Sequence, residues 1–194
     1  MGKAGECVRV TGGELRGRRL AAPPGRDVRP TADRVREAMF SMLGQNLSGE
    51  RVFDLFAGSG ALGIEALSRG AEHSLFVEKQ TAVLRVLEKN VEQLGLWQRV
   101  TVWRQDAAGA LKNMVVQQIQ PATLVFMDPP YEQGWVLPIL AALLENRCLS
   151  NQARIVVEHG KREQIASPPD GLALIRQRSY GRAELSLLQR ETKR

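Results

Sequence analysis

From residue 51 onward, short apolar runs alternate with segments whose apolar residues have helical spacing. The predicted strands cover residues 52–57, 74–77, 100–104, 123–127 and 154–158. The predicted helices cover residues 61–69, 81–94 and 136–145, with one more between 104 and 123. Strands that alternate with helices form βαβ units, which place helices on both faces of a parallel sheet. This alternation predicts an α/β, Rossmann-like fold with a mostly parallel sheet.

The two ends of the chain depart from this alternation. Residues 172–188 are typical of two strands joined near Gly181, an antiparallel hairpin that brings the sheet to seven strands. In the first thirty residues, alternating runs and turns predict a small basic hairpin. Thr31 is the predicted N-cap of the helix that follows. We therefore expect a hairpin extension, residues 1–30, and a main domain, residues 31–194.

The charged residues are unevenly distributed along the chain. Residues 1–36 contain nine basic and four acidic side chains, and residues 161–194 contain eight and four. Basic ends suit a polyanionic partner, because Lys and Arg neutralise phosphates. Solvated surface charge is the alternative explanation. Arg16, Arg18 and Arg19 are the predicted phosphate contacts, although such residues also protect strand edges.

Composition disfavours several other classes of protein. No apolar run approaches the roughly 20 residues of a membrane span, and the first residues have no signal-peptide pattern. Cys7 and Cys148 are too few for a disulfide scaffold, and no group of residues has metal-ligand spacing. We therefore expect a cytoplasmic protein that needs neither a metal ion nor an obligate protein partner.

The first chemical motif joins a strand, a glycine turn and a helix. Gly58, Gly60 and Gly63 satisfy G-x-G-x-x-G, and Glu78 follows Gly58 by 20 residues, where a ribose-binding acid is expected. Glycines let the backbone approach a nucleotide-type ligand. Asp54, just before the turn, would repel a pyrophosphate and suits an amine-bearing ligand. The glycines alone leave a dinucleotide site open as an alternative.

The second motif is Asp128-Pro129-Pro130-Tyr131, directly after the apolar strand predicted over residues 123–127. Two prolines fix the backbone, so the turn projects a carboxylate and an aromatic ring from the end of the strand. Asp128 and a proline carbonyl can accept hydrogen bonds from an exocyclic amine, while Tyr131 stacks on the ring that carries it. A rigid turn with an exposed aspartate is the structural alternative.

Together the motifs resemble those of class I S-adenosylmethionine-dependent methyltransferases that act on exocyclic amines of bases. Residues 16–20, 29–38 (Arg-Pro-Thr-Ala-Asp-Arg-Val-Arg-Glu-Ala) and 54–70 are similar to the bacterial RsmD family. That family methylates N2 of a specific guanine in 16S ribosomal RNA. The resemblance implies S-adenosylmethionine as cofactor, S-adenosylhomocysteine as product, and 16S rRNA within the small subunit or its assembly intermediate as partner.

Matching positions imply roles for individual residues. Asp128, Pro129, Pro130 and Tyr131 would hold the target base. Glu78 would take the ribose hydroxyls of the cofactor, and Asp106 its adenine amine. The complete set implied to bind or enclose the cofactor is Arg29, Thr31, Asp54, Gly58, Ser59, Gly60, Glu78 and Asp106.

Three other functions agree with parts of the sequence. A DNA adenine-N6 or cytosine-N4 methyltransferase uses similar D-P-P-Y chemistry, but it usually has a larger target-recognition region than 194 residues allow. A nicotinamide-dependent oxidoreductase explains the glycines but not Asp128 to Tyr131. A non-catalytic RNA-binding module explains the basic ends but not two site motifs. The sequence therefore favours an rRNA guanine-N2 methyltransferase.

Overall fold

The computed structural model describes residues 7–23, 30–163, 165 and 167–192, with side chains for all of these except 7 and 30–33. The strands are β1 (Cys7–Arg9), β2 (Arg19–Ala21), β3 (Arg51–Asp54), β4 (His73–Val77), β5 (Val100–Trp103), β6 (Ala122–Met127), β7 (Leu149–Gly160), β8 (Leu172–Tyr180) and β9 (Ala183–Arg190). The helices are α1 (Pro30–Leu43), α2 (Ala61–Ser68), α3 (Thr81–Gln93), α4 (Ala107–Val116) and α5 (Val136–Glu145).

Seven strands form one sheet in the order β5-β4-β3-β6-β7-β9-β8. The strands from β5 to β7 in that order are parallel, and β9 pairs antiparallel with both β7 and β8. The chain builds outward from β3 to β5 and then returns to the other side of β3 to form β6. The predicted mostly parallel sheet with a C-terminal antiparallel hairpin is confirmed.

Two apolar clusters cover the two faces of this sheet. One contains buried side chains of α1, α2 and α3, and the other contains those of α4 and α5. Strand β6 contributes to both, because Leu124 and Phe126 face the first cluster while Val125 and Met127 face the second. A strand buried on both faces reads as a nearly continuous apolar run. This explains the apolar residues 124–127, which end just before Asp128.

The predicted N-terminal hairpin is present and packs tightly against the rest of the chain. β1 and β2 pair antiparallel, and Leu20 of β2 is buried in the first apolar cluster. Buried Asn90 on α3 accepts a hydrogen bond from Ala21 N–H at 2.8 Å and donates one to Ser59 O at 2.9 Å. One side chain thus joins the hairpin to the glycine turn. The division of the chain at residue 30 stays a prediction.

A buried ionic network also anchors the hairpin. Glu65 on α2 is fully buried and accepts hydrogen bonds from Thr11 N at 2.8 Å, Thr11 Oγ1 at 2.7 Å and Arg69 Nη2 at 2.7 Å. Arg36 on α1 lies 3.8 Å from the Glu65 carboxylate and donates to Arg9 O at 2.7 Å. The carboxylate therefore connects α1, α2 and the hairpin through charged groups that are all shielded from water.

Several predicted boundaries are wrong. Strand β3 ends at Asp54, three residues before its predicted end at residue 57, because the chain turns at residues 55 and 56. Helix α1 begins at Pro30, so Thr31 lies in its first turn and is not the N-cap; proline is favoured at the first helical position because the missing N–H would be unsatisfied there anyway. Strand β7 begins at Leu149, five residues before the predicted start at 154. The polar residues 150–152 hide this half of the strand, where the β6–β7 register shifts and Gln152 has a positive φ of 59°.

Some features are absent from the described ranges. None of their helices is both long enough and apolar enough to cross a membrane. Their His, Cys, Asp and Glu side chains form no group of three or more that could hold a metal ion. Cys148 is a buried free thiol, and burial raises its pKa to about 11, so it is not a thiolate nucleophile at neutral pH.

Candidate active site

A cleft lies at the carboxyl ends of the central strands, where the strand order reverses between β3 and β6. Open α/β sheets bind ligands at this topological switch point. The cleft is open to solvent, and its empty space is about 540 Å³ when the solvent in its mouth is included. Its lining residues are Leu55, Phe56, Val77, Glu78, Lys79, Gln80, Gln105, Asp106, Ala107, Asp128, Pro130 and Trp135. The loops that follow β3, β4, β5 and β6 therefore meet in one place.

The three glycines of the first motif are needed for two different reasons. Gly58 and Gly60 have φ angles of 56° and 83°, which side chains rarely adopt. Gly63 lies in α2, and a Cβ there would overlap the Phe76 ring and Ser74 Oγ of β4. The first two glycines shape the turn, and the third lets α2 pack closely on the sheet. Ser59 lies between Gly58 and Gly60, and its carbonyl accepts a hydrogen bond from the Asn90 side chain.

Asp54 lies beneath the glycine turn and does not line the cleft. Its carboxylate is 1% exposed, and Oδ2 accepts a hydrogen bond from Gly63 N at 3.1 Å. Oδ1 is buried without a hydrogen-bond partner among the described residues. Burial is the main reason that its pKa is raised to about 7, and the nearby Glu78 charge adds to the effect. Asp54 thus supports the glycine turn from below.

Glu78 and Asp106 both reach the cleft, and both also hold the backbone around it. Glu78 Oε2 accepts from Gly58 N at 3.1 Å, and Oε1 accepts from Gln80 N at 2.8 Å. Asp106 is the N-cap of α4, where Oδ1 accepts from Gly109 N at 2.7 Å. A carboxylate has about four acceptor positions. Each acid can therefore keep its loop in place and still accept hydrogen bonds from a ligand.

The D-P-P-Y motif forms the opposite wall of the cleft. Asp128 and Pro130 line it, while Pro129 is buried behind them. Tyr131 is 38% exposed and lies over the carboxyl end of β7, where its hydroxyl donates a hydrogen bond to Glu158 Oε1. The side chains of Asp128 and Tyr131 therefore point in different directions from the same turn. Asp128 points toward the cleft, and Tyr131 lies along its rim.

Sequence reasoning assigned no site role to several residues of this region. Lys79 and Trp135 line the cleft, and Lys79 Nζ lies 5.9 Å from the centre of the Trp135 ring. Trp135 follows the D-P-P-Y loop closely in sequence, so its position was a usable signal. Glu158 could also have been found, because it is an acid at the end of a predicted strand, like Asp128.

The predicted phosphate contacts lie far from the cleft. We call residues 14–18 the hairpin tip. Glu14 N donates to Ser68 O at the end of α2, and Arg18 Nη2 donates to Gln93 O at the end of α3, at 2.8 and 3.4 Å. Helices that cross between parallel strands end near the amino ends of the strands. The tip, with Arg16 and Arg18, therefore lies at the opposite end of the sheet, and Arg19 continues from it into β2.

Another basic group lies beside the cleft. We call Lys161, Arg162, Arg178 and Arg182 the basic rim; all four are exposed. Lys161 and Arg162 directly follow β7, and Arg182 precedes Ala183, which pairs with Gly160 at the end of β7. Of the cofactor residues predicted by resemblance, Arg29 lies outside the described residues, and the side chain of Thr31 is not among those described.

Comparison with known proteins agrees with this geometry. The family model described as Conserved hypothetical protein 95, which represents the RsmD family, matches residues 8–189. The chain belongs to the RsmD family. "Ribosomal RNA small subunit methyltransferase D" of Escherichia coli strain K12 is 35% identical over 184 residues, which cover 95% of this chain and 90% of that protein. The family predicted from the sequence is therefore confirmed.

Other RsmD-like proteins match over similar lengths. "Putative rRNA methyltransferase YlbH" of Bacillus subtilis strain 168 is 37% identical over 174 residues, covering 90% of this chain and 94% of that protein. The solved structure of "Putative methyltransferase yhhF" from Escherichia coli superposes with a TM-score of 0.83 at 33% identity, covering 97% and 100% of the two chains. This RsmD-family chain therefore has the class I methyltransferase fold.

Proposed function

We propose that this protein transfers a methyl group from S-adenosylmethionine to N2 of a specific guanine in 16S rRNA of the small ribosomal subunit. The observation that carries the proposal is the single cleft in which Glu78, Asp106 and Asp128 meet from three different strands. Family membership supports rRNA as the substrate, because the related Escherichia coli protein bears the name of a small-subunit rRNA methyltransferase. The cytoplasm, where bacterial ribosomes assemble, is the proposed location.

The cofactor side of the cleft suits a nucleoside with polar edges. Leu55, Val77 and Ala107 supply apolar walls that can enclose an aromatic base. Glu78 has acceptor positions left for the two ribose hydroxyls, and Asp106 Oδ2 has no hydrogen-bond partner among the described residues, so it can accept from the adenine amine. S-adenosylmethionine, when bound, supplies a methyl group made electrophilic by the positive sulfur.

The base side of the cleft has a different task, which is to orient a weak nucleophile. The guanine amine is poorly nucleophilic because its lone pair is delocalised into the ring. Hydrogen bonds from the amine to Asp128 and to a proline carbonyl favour a pyramidal nitrogen whose lone pair is free to react. Tyr131 offers a ring face for stacking. The protein contributes mainly proximity and orientation, and the base must leave its stack to enter the cleft.

Labelled S-adenosylmethionine tests the proposal directly. Separate incubations with small subunits, free rRNA, duplex DNA and protein show which substrate is labelled, and nuclease digestion followed by chromatography identifies the methylated base. We expect label in small-subunit rRNA as N2-methylguanine. Label in adenine or cytosine of duplex DNA would instead identify a DNA methyltransferase. Binding of NAD without binding of S-adenosylmethionine would contradict the cofactor.

A further inference from the structure

Glu158 is a second carboxylate beside the base-binding motif, and the function proposed above gives it no role. β6 and β7 pair in parallel as far as Met127 opposite Val157. Asp128 and Glu158 are therefore the next residues on two adjacent strands, which lie about 4.8 Å apart in a sheet. Asp128 lines the cleft, and Glu158 lies beside it at the rim, where Tyr131 contacts it. The register thus brings them to neighbouring positions at the carboxyl edge.

The surroundings of Glu158 supply few hydrogen-bond donors. Tyr131 donates to Oε1, whereas Oε2 has no hydrogen-bond partner within the described ranges, and no Lys or Arg in those ranges forms an ion pair with it. Burial raises the pKa of this carboxyl, and the bond from Tyr131 lowers it. A carboxylate removed from water without a cation is costly until other donors reach it. The position therefore favours an occupant that donates hydrogen bonds.

Guanine offers that donor next to the atom that reacts. Its N1–H and its N2 amine are neighbours on one edge, whereas adenine places an acceptor nitrogen beside its amine. An ionised carboxylate only accepts hydrogen bonds. We propose that Glu158 accepts a hydrogen bond from N1–H of the target guanine while Asp128 accepts one from the N2 amine. Glu158 then determines specificity for guanine, an inference that rests on the proposed function and names its base-reading residue.

Tyr131 connects this specificity contact to base stacking. Its hydroxyl holds the Glu158 carboxylate, and its Cβ lies beside Gly160, two residues further along β7, where an added Cβ would be 3.5 Å away. The ring is thus fixed at both ends, by the backbone of β7 and by the carboxylate. The stacking surface and the N1–H acceptor are therefore positioned together as one unit.

A modified base separates the two carboxylate contacts. 2-Aminopurine keeps the N2 amine but has an acceptor at N1 and no O6, so of the two carboxylate contacts it loses only the one assigned to Glu158. Small subunits reconstituted with guanine or 2-aminopurine at the target position are methylated by wild-type protein and by Glu158→Gln. We expect the wild type to prefer guanine in kcat/KM by at least about tenfold, the size expected for a hydrogen bond to a charged group. The Gln amide can donate to 2-aminopurine or accept from guanine, so the preference of this variant for guanine should be about tenfold smaller than that of the wild type. Any contribution of O6 is the same in both proteins and cancels in this comparison.

Two variants serve as controls. Glu132→Gln makes the same chemical change at an exposed carboxylate that pairs with Arg162, and it should keep the wild-type preference. Tyr131→Phe removes the hydroxyl but keeps the Glu158 charge, so the preference for guanine should survive while kcat/KM falls. Calorimetric titration with S-adenosylhomocysteine checks that each variant is folded.

The outcomes separate this inference from the function on which it rests. A wild-type preference that is unchanged in Glu158→Gln overturns the role of Glu158 and leaves the proposed function standing. No methylation of guanine by the wild type overturns both. If Glu158→Gln methylates neither base, competition between the two RNAs measures the same ratio as relative affinity. A ratio that remains at the wild-type value in that assay also overturns the inference.

Discussion

Asp54, the buried carboxylate under the glycine turn, should make the stability of the fold depend on pH. Burial raises its pKa from 3.8 to about 7, so the folded protein keeps this proton over a range in which the unfolded chain has already lost it. The folded state therefore binds more protons than the unfolded state between about pH 4 and pH 7. Stability consequently falls as the pH rises through this range and levels off above the folded pKa.

Asp54→Asn should remove this pH dependence while keeping an acceptor for Gly63 N–H. We expect the wild type to lose roughly 2–3 kcal/mol more of its unfolding free energy than the variant between pH 5 and pH 8. Urea unfolding of both proteins at the two pH values measures the difference. The same change with pH in both proteins would show that Asp54 is already ionised in the folded state at pH 5.

Glu78 and Asp128 should fail in different ways when truncated. Glu78→Ala removes hydrogen bonds worth roughly 1.5–3 kcal/mol to the cofactor and also releases Gly58 N–H, so calorimetry should show weaker binding of S-adenosylmethionine. Asp128→Ala should leave that affinity within a few-fold, because its proposed partner is the base. Its single-turnover methylation rate should fall sharply, since the amine is no longer oriented. Near-normal turnover would reduce Asp128 to a turn residue.

At the scale of whole elements, Glu65 is the residue that holds the hairpin, α1 and α2 together. Glu65→Gln removes the charge that faces Arg36 and Arg69 and deprives the buried Arg69 guanidinium of the carboxylate that it contacts at 2.7 Å. Breaking one partner of a buried pair costs about 3–5 kcal/mol. The free energy of unfolding should fall by that amount, and hydrogen exchange of the β1 and β2 amides should accelerate.

Glu14→Gln is the matched control for this change. Glu14 pairs with Arg99 at 2.8 Å, but its side chain is 59% exposed, and exposed pairs contribute about 0–1 kcal/mol. Its loss should barely change the unfolding midpoint. Equal destabilisation by the two variants would mean that the Glu65 network is no more important than a surface pair.

The sequence predicts elements well where the signal is local. The apolar runs of β4 and β6, and the capping glycine Gly95 after α3, are readable from adjacent residues. The first half of β7 is not, because its polar residues enter the sheet only through the irregular pairing near Ala122. The prediction of Thr31 as N-cap was wrong because proline is favoured at the first position of a helix, so the helix begins at Pro30.

The candidate site was predictable in its residue types but not in its pairings. Asp54 ends a strand, and Asp106 and Asp128 each follow one. Asp54 is buried under a loop, whereas Asp106 caps a helix at the cleft and Asp128 lines the opposite wall. The Tyr131–Glu158 contact spans 27 residues, and the Thr11–Glu65 contact spans 54. Spacing along a chain does not reveal such partners, because the sheet order decides which strand ends become neighbours.

At the scale of the whole molecule, the two basic groups lie at opposite ends of the sheet. The basic rim is beside the base-binding motif, whereas the hairpin tip is near the amino ends of the strands. We expect an RNA stem-loop that enters the cleft to contact the rim, and a larger particle to contact both the rim and the tip. The size of the RNA therefore distinguishes the two surfaces.

Salt dependence of binding can test this division. With a short stem-loop that contains the target guanine, replacing the four rim residues by Ala should lower the slope of log affinity against log salt by about 0.7–0.9 units for each lost contact. Replacing Arg16, Arg18 and Arg19 by Ala should leave that slope unchanged. With complete small subunits, each of the two sets of substitutions should lower the slope of log affinity against log salt.

Two results would contradict this arrangement. If replacing Arg16, Arg18 and Arg19 does not change the salt dependence of binding to complete subunits, these residues are solvated charges at a strand edge. If replacing the rim residues does not change the salt dependence of binding to the stem-loop, the RNA contacts a different surface. Binding of S-adenosylhomocysteine should be the same in all variants, because neither group lines the cleft.

The hairpin links described above also set an order for folding during synthesis. The hairpin leaves the ribosome before the helices that it contacts, because Ala21 binds Asn90, 69 residues later, and Glu14 binds Arg99, 85 residues later. Leu20 likewise packs on helices that are not yet made. A two-stranded hairpin has little stability alone. The hairpin therefore stays unpacked until residues 90–99 have emerged, and it acquires its structure later than the helices on which it packs.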